Sequence, residues 1–368
     1  MPSCEPMSTK STQRFHEIDL LRGLACLSVL GFHYLSRSPR VGWMPEALVP
    51  AIDAVMRFGY LGVHLFFVIS GFVILMSAQG ATPRNFAASR VARLYPALWV
   101  AASITALTAW GLGDARFMST WPQYLVNLSM VPQWFGVPYI DAAYWSLAVE
   151  LHFYIYIWIV LRFKLLGHIE TLMLGWLAIS LANLIRPAWP LQFWLDAKWA
   201  PLFVAGGIFF LVRTQGGFNR RRVLTLLASL ALALVYAWQD AVADLHWATL
   251  WRELDAWVVA GLITAVYAVF TLIALDRWRL PPMRWVAVAG ALTYPVYILH
   301  QYFGAMVYQQ LLKLSHSMPL SLLLTTLLVG TMGWQIHIRV EKTLGPRLRR
   351  WIEGPPLAAP QPTARSKA

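Results

Sequence analysis

Cysteine and charge are what this chain has little of: two cysteines in 368 residues, 17 acidic residues, and a charged fraction of only 13%. Cys4 lies in a polar N-terminal stretch and Cys26 in the middle of an apolar run, so no disulfide framework is available. No Cys or His spacing suits zinc, and a metal is not expected. The scarcity of charge excludes a soluble globule. With 58% hydrophobic residues and 19 tryptophans, the chain lacks the polar surface that such a globule needs. No hydrophilic block is long enough for a second folded domain, and no repeat of fixed period stands out.

Long apolar runs are there in quantity. A hydrocarbon layer of about 30 Å takes roughly 20 residues of helix. Ten such runs, bounded by charge or by Pro and Gly, occupy about 18–36, 58–78, 94–112, 144–165, 169–187, 199–213, 222–239, 255–275, 285–307 and 318–338. The expected fold is all-α, a polytopic transmembrane bundle of about ten spans. It forms one domain over 18–340, between a polar tail 1–17 and a Pro- and Ala-rich, largely disordered tail 341–368. The sixth run is short, and Gly206–Gly207 at its middle would let a neighbouring helix come close. The first run follows 17 polar residues and leads into nine more, which suits a start-transfer helix rather than a cleaved signal peptide.

Charge gives the runs a direction. With the N-terminus inside, most of the 30 Lys and Arg fall on inside segments. These hold Arg14 and Arg22, then Arg84, Arg90 and Arg93, then Arg162 and Lys164, Arg213 and Arg220, Arg277 and Arg284, and the stretch after 338. Both termini are therefore expected in the cytoplasm, with the protein multi-pass in the inner (cytoplasmic) membrane. The net charge of +13 is then explained by loops facing anionic lipid, and nucleic acid is not an expected partner. The longest outside connection, about 113–143, reads "WPQYLVNLSMVPQWFGVPY" and suits an interfacial loop or short helix that roofs a cavity.

Ionisable groups within such runs cost several kcal/mol unless they face the bundle interior or water, so each is a site candidate. Arg22 and His33 in "IDLLRGLACLSVLGFHY" are 11 residues apart, which puts them on one helix face roughly 16 Å apart along the axis. Arg90 and Arg93 in "RVARLYPALW" share a face at i and i+3, and with Arg22 they form a cluster able to hold phosphate. The positive-inside rule alone would also put arginines there. Glu150 in "YWSLAVELHFY" is the one carboxylate well inside a run, with Ser146 one turn earlier. A structural ion pair is its competing explanation. His152 points about 200° away from Glu150 and reads as a packing residue. His64 and His300 lie toward the outer ends of their runs, and Asp19 at the inner end of the first. Gly59, Gly62 and Gly71 would allow tight helix contact.

A basic mouth, a histidine deeper on the same face and a buried carboxylate suit a membrane transferase that draws on a phosphorylated donor. They also suit a transporter or flippase of a glycan or lipid, which places charges along a pathway. Internal repeats and matched broken helices, the usual marks of a transporter, are not evident here.

Five separated stretches add a resemblance: "IDLLRGLACLSVLGFHY", "GYLGVHLFFVISGFVI", "RVARLYPALW", "YWSLAVELHFY" and "LTYPVYILH". In this order, from about residue 17 to 302, the chain resembles the acyltransferase-3 family of integral membrane O-acyltransferases. That family modifies surface polysaccharides, lipopolysaccharide, Nod factors and some antibiotics. The resemblance implies about ten transmembrane helices, an Arg-x10-His pair at Arg22 and His33, and an Arg-x-x-Arg pair at Arg90 and Arg93. It also implies an acyl-CoA co-substrate, acetyl-CoA most simply, with no permanently bound cofactor, and an acceptor hydroxyl on a glycan or a secondary metabolite. The expected mechanism places donor phosphates on Arg22, Arg90 and Arg93, and makes His33 a base or an acyl carrier. Glu150 is expected to orient His33 as a triad acid does. Asp19, Tyr144, Ser146, His64, Tyr294 and His300 are expected near the acceptor or behind the catalytic groups. Relatives commonly carry an acidic or amide residue where His64 stands, a Glu–Gln pair where Leu151–His152 stands, and Ser at Thr293.

Overall fold

The structure, a computed structural model, describes residues 14–38, 42–43, 50–242 and 255–354, which are helical with short connections and contain no strand. In chain order the helices are α1 (His16–Phe32), continued by a π-helical turn over His33–Arg37, α2 (Pro50–Met56), α3 (Gly62–Ala78) and α4 (Pro83–Leu112). The short α5 (Trp121–Asn127) lies in the long connection before α6 (Trp145–Arg162) and α7 (Ile169–Ile185). Then come α8 (Trp189–Leu195), α9 (Ala200–Thr214), α10 (Arg220–Val242) and α11 (Ala256–Ala274). Last are α12 (Arg284–Tyr297), α13 (Tyr302–Ser315), α14 (Met318–Ile336) and α15 (Lys342–Glu353). Local chemistry sets many of these ends. Thr82 caps α4 by accepting from the Asn85 N–H at 3.2 Å, with Pro83 at the first helical position, and Gly113 closes it in the left-handed region at φ 67°. Thr120 and Asp255 cap α5 and α11 in the same way.

Helix α9 is the most deeply buried of the long helices, and α3 packs along it more extensively than any other pair in the bundle. The contact is backbone to backbone. A Cβ at Gly206 would run into the Val68 carbonyl oxygen, and one at Gly71 into that of Phe203. Small residues at a helix crossing allow this approach where lipid supplies no hydrophobic drive between helices. The shortness of the α9 run is thus explained: the helix is an interior post, walled by other helices. Helix α1 lies along α12, with the Cys26 thiol against the Thr293 carbonyl at 3.7 Å and Ser28 Oγ donating to the Gly59 carbonyl at 3.1 Å.

Side chains tie the helix ends together. Arg14 reaches the Ala287 carbonyl, Arg213 pairs with Asp276 and lies over the Phe15 ring, and Arg84 donates to the Ile352 carbonyl. Arg116 donates to the Gly42 carbonyl and Gln309 to that of Trp43.

Nine helical stretches among the described residues are long and apolar enough to cross a membrane, one fewer than expected. The run at 285–307 is the difference. It is split into α12 and α13, each of 14 residues, because Pro295 weakens the helix and residues 298–301 leave it. The expected disordered tail from 341 is also corrected. Helix α15 continues α14 through a π-helical turn at His337–Glu341 and packs on α4, with Gly345 against the Ala92 carbonyl. Residues 355–368 of that tail, and Cys4 in the other, lie outside the described residues.

The break at 298–301 is fully accounted for by side chains. Carbonyls freed from the helix accept from His300 Nδ1 at Tyr297 (2.5 Å), from Tyr144 OH at Ile298 (3.1 Å) and from Tyr34 OH at His300 (2.7 Å). Asp141, wholly buried, takes the Ala143 N–H at 2.9 Å and the Tyr302 N–H at 2.8 Å, and so ties the start of α6 to the start of α13. Burial pushes its carboxyl up to about 7, against the pull of these two bonds and of Arg37.

Two stability outcomes follow. Gly206→Ala should cost about 3 kcal/mol or more, since its Cβ meets rigid backbone. Gly207→Ala meets only the Met173 side-chain tip and should be much milder. Thermal melting in detergent that ranks the two equally would contradict the backbone contact. Asp141→Ala should destabilise by about 1–3 kcal/mol for each of the two N–H groups it orphans, read in the same assay.

Candidate active site

Helix α3, held from behind by α9, presents Val63, Phe67, Ser70 and Ile74 to a cleft of about 740 Å³, open mouth included. Arg22 enters the cleft from α1, Arg90 and Arg93 from α4, Ser146, Glu150 and Tyr154 from α6, and Thr293, Tyr294 and Tyr297 from α12. Six residues expected at the site thus meet in one space: Arg22, Arg90, Arg93, Glu150, Ser146 and Tyr294.

The cleft carries three guanidiniums and one carboxylate, so it is net positive. Arg22 lies within electrostatic reach of Arg93, Glu150 and Asp19. Arg90 is steadied by Ser89 Oγ at 3.2 Å and lies over the rings of Phe86 and Tyr154, 5.9 and 5.7 Å from their centroids. Among the described residues, Arg22 and Arg93 hydrogen-bond to no protein group, which leaves their forks free for an anion.

Glu150 corrects one expectation. Its Oε1 accepts from Ser70 Oγ at 2.7 Å and from Tyr154 OH at 2.9 Å, and it makes no contact with His33. The carboxylate is anchored in the arginine cleft and does not orient the imidazole.

His33 lies outside the cleft lining, behind Tyr297. Tyr297 lines the cleft and shares a hydrogen bond of 2.7 Å with Ser146 Oγ, and its ring is 5.2 Å from that of His300. The His300 ring in turn is 5.0 Å from that of His33, and both histidines are buried. His33 opens the π-helical turn of α1, and His300 sits in the break between α12 and α13. Two backbone irregularities, of the kind often found at functional sites, bring the imidazoles together.

Three expected residues stand elsewhere. Asp19 is paired with Arg14 at 2.6 Å, packed against Gly290, and off the cleft lining. Tyr144 is spent on the Ile298 carbonyl. His64 is wedged between the rings of Tyr60 and Trp199, at 5.8 and 5.4 Å.

Sequence reasoning missed Ser70, Tyr154 and Tyr297. Tyr154 stands four residues after Glu150 and was readable from that spacing. Ser70 gave no signal beyond being a hydroxyl in an apolar run. His152 proves more than a packing residue: its Nε2 accepts the Trp134 indole N–H at 2.9 Å, so its Nδ1 carries the proton donated to Asp196 at 2.8 Å. This chain of bonds ties the 113–143 connection to α6 and to the start of α9.

The family model described as "Acyltransferase domain" matches residues 15–336, a stretch that contains every residue of the cleft and both histidines and stops short of α15. A curated protein of Streptomyces mycarofaciens, named Acyltransferase MdmB, is 28% identical over 190 residues, which make up 49% of this chain and 48% of that protein. The chain thus matches about half the length of this curated relative. No solved structure gives a significant match. With the arginine cleft, the paired histidines and a family match over nearly the whole described length, this multi-pass membrane chain belongs to the acyltransferase-3 family.

Proposed function

We propose that the protein is an acyl-CoA-dependent membrane O-acyltransferase, with acetyl-CoA as donor and a hydroxyl of a cell-surface polysaccharide, lipopolysaccharide or related glycan as acceptor. The observation that carries this reading is the meeting of Arg22, Arg90 and Arg93 in one aromatic-walled cleft, whose wall residue Tyr297 packs on His300, which in turn packs on His33. Three guanidiniums suit the phosphates of a nucleotide-bearing thioester, which they bind through charge-assisted forks. The apolar wall of Phe66, Phe67 and Ile74 suits its extended arm.

In this reading the face with Arg14, Arg84 and Arg213 is cytoplasmic, where acyl-CoA is available, and both chain ends lie there in the inner membrane. The acceptor approaches from the opposite face, beneath the 113–143 connection. Glu150 offsets part of the arginine charge, which lets donor phosphate bind without trapping it. His33 takes the proton of the acceptor hydroxyl.

His33→Ala, at normal membrane level, should lower esterification of the envelope glycan by about 10²–10⁴-fold. Persistence at the wild-type rate would remove His33 from the mechanism. Arg90→Gln with Arg93→Gln should raise KM for acetyl-CoA about 10- to 100-fold with a smaller change in kcat, as loss of uniform binding predicts. An unchanged dependence on acetyl-CoA concentration would reject the phosphate assignment.

A further inference from the structure

His300 keeps a ring nitrogen that nothing in the fold explains. Its Nδ1 contacts the Tyr297 carbonyl, which can only accept, so Nδ1 carries the ring hydrogen and Nε2 of the neutral ring is a bare acceptor. That Nε2 is buried and has no partner. The Nδ1 of His33 is likewise buried and without a partner. Other buried polar atoms also lack a partner, His64 Nδ1 and Gln301 Nε2 among them, but His33 and His300 are the two such imidazoles whose rings adjoin, and an unpaired buried polar group calls for an explanation. A direct N–H···N bond of about 2.9 Å between imidazoles places their centroids about 5 Å apart, which is the separation found. The rings are tilted by 57° and the bond is not formed in this arrangement. The backbone around His300 is fixed from three sides, by Tyr34 on α1, by Tyr144 before α6 and by Asp141, so the acceptor is held in place whatever His33 does.

We infer that His300 is the positioning partner of His33, in the place that a carboxylate holds in a Ser-His-Asp triad. The inference rests on the acyl-transfer reading above. The acceptor oxygen forms the new ester bond to the acyl carbon as the thioester C–S bond breaks. The hydroxyl proton passes to one nitrogen of His33 and from there to the departing thiolate, which leaves as free thiol. While His33 is protonated, its Nδ1–H donates to His300 Nε2, and the proton itself stays with His33. A neutral partner suits this depth in the membrane, because it requires no buried counter-charge, and Glu150 stays with the arginines.

The test uses the full chain in lipid nanodiscs, with free thiol released from acetyl-CoA as one readout and ester on the envelope glycan of expressing cells as the other. His300→Ala should lower turnover about 100-fold with KM for acetyl-CoA unchanged. His300→Gln, whose amide oxygen accepts near the Nε2 position but takes no proton, should restore turnover to within about tenfold of wild type. ¹⁵N spectra of histidine-labelled protein should show His300 with hydrogen on Nδ1, and its signal should be lost in either variant. The pairing is overturned if folded His300→Ala turns over like wild type, if folded His300→Gln is as inert as His300→Ala, or if His300 carries its hydrogen on Nε2. A wild-type chain that releases no thiol and forms no ester defeats the acyl-transfer reading, and the ¹⁵N spectra still decide the tautomer.

Discussion

The close crossing of α3 and α9 is the constraint from which the site follows. Because Gly71 and Gly206 let the two backbones touch, α3 is pinned along one side and has its other side free to form the wall of the cleft. Aromatic rings then lock its depth: Phe67 stacks on Phe203 at 4.8 Å, and Phe153 packs on Phe203 at 4.6 Å. If α3 drifted by one residue, Ser70 would lose Glu150, and the one carboxylate of the cleft would lose an anchor. Helix packing in this bundle thus sets the electrostatics of the cleft.

A second theme is how the bundle houses polar groups far from water. Arginines are placed where a cleft opens, and the carboxylate is satisfied by two hydroxyls. Backbone carbonyls exposed by the break at 298–301 are met by side chains, His300 from within the break and Tyr144 and Tyr34 from elsewhere in the bundle. Irregular backbone at membrane depth is tolerated when it is buried in protein, and here it is used to seat an imidazole. Among the buried side-chain nitrogens left without a partner, those of His33 and His300 are set apart by belonging to two adjacent imidazoles.

Much of this was legible in the sequence. Apolar runs located the helices, since their length comes directly from the thickness of a bilayer. The arginines of the cleft were readable from spacing on two helices, and Glu150 from being a lone carboxylate. Partnerships between helices were not readable. Nothing local in "YWSLAVELHFY" says that Glu150 turns to Ser70, 80 positions away, instead of His33. The split of the 285–307 run was hinted at by Pro295, yet apolar composition continues across it, and composition was the signal used. Helix α15 was hidden for a related reason: its polar, Pro-containing sequence suggests disorder, and only the face offered by α4 makes it a helix.

That last helix carries a practical consequence. Residues 15–336 delimit the family segment, and an engineer choosing where to attach a tag or shorten the chain would cut near 336. Such a cut would strip α15 from the early turns of α4, the same turns that carry Arg90 and Arg93. The Ala92 backbone would then lose its cover and Arg84 its carbonyl partner, and the arginine-bearing segment would be free to fray. For this chain the safe boundary lies after Glu353, where the brace ends.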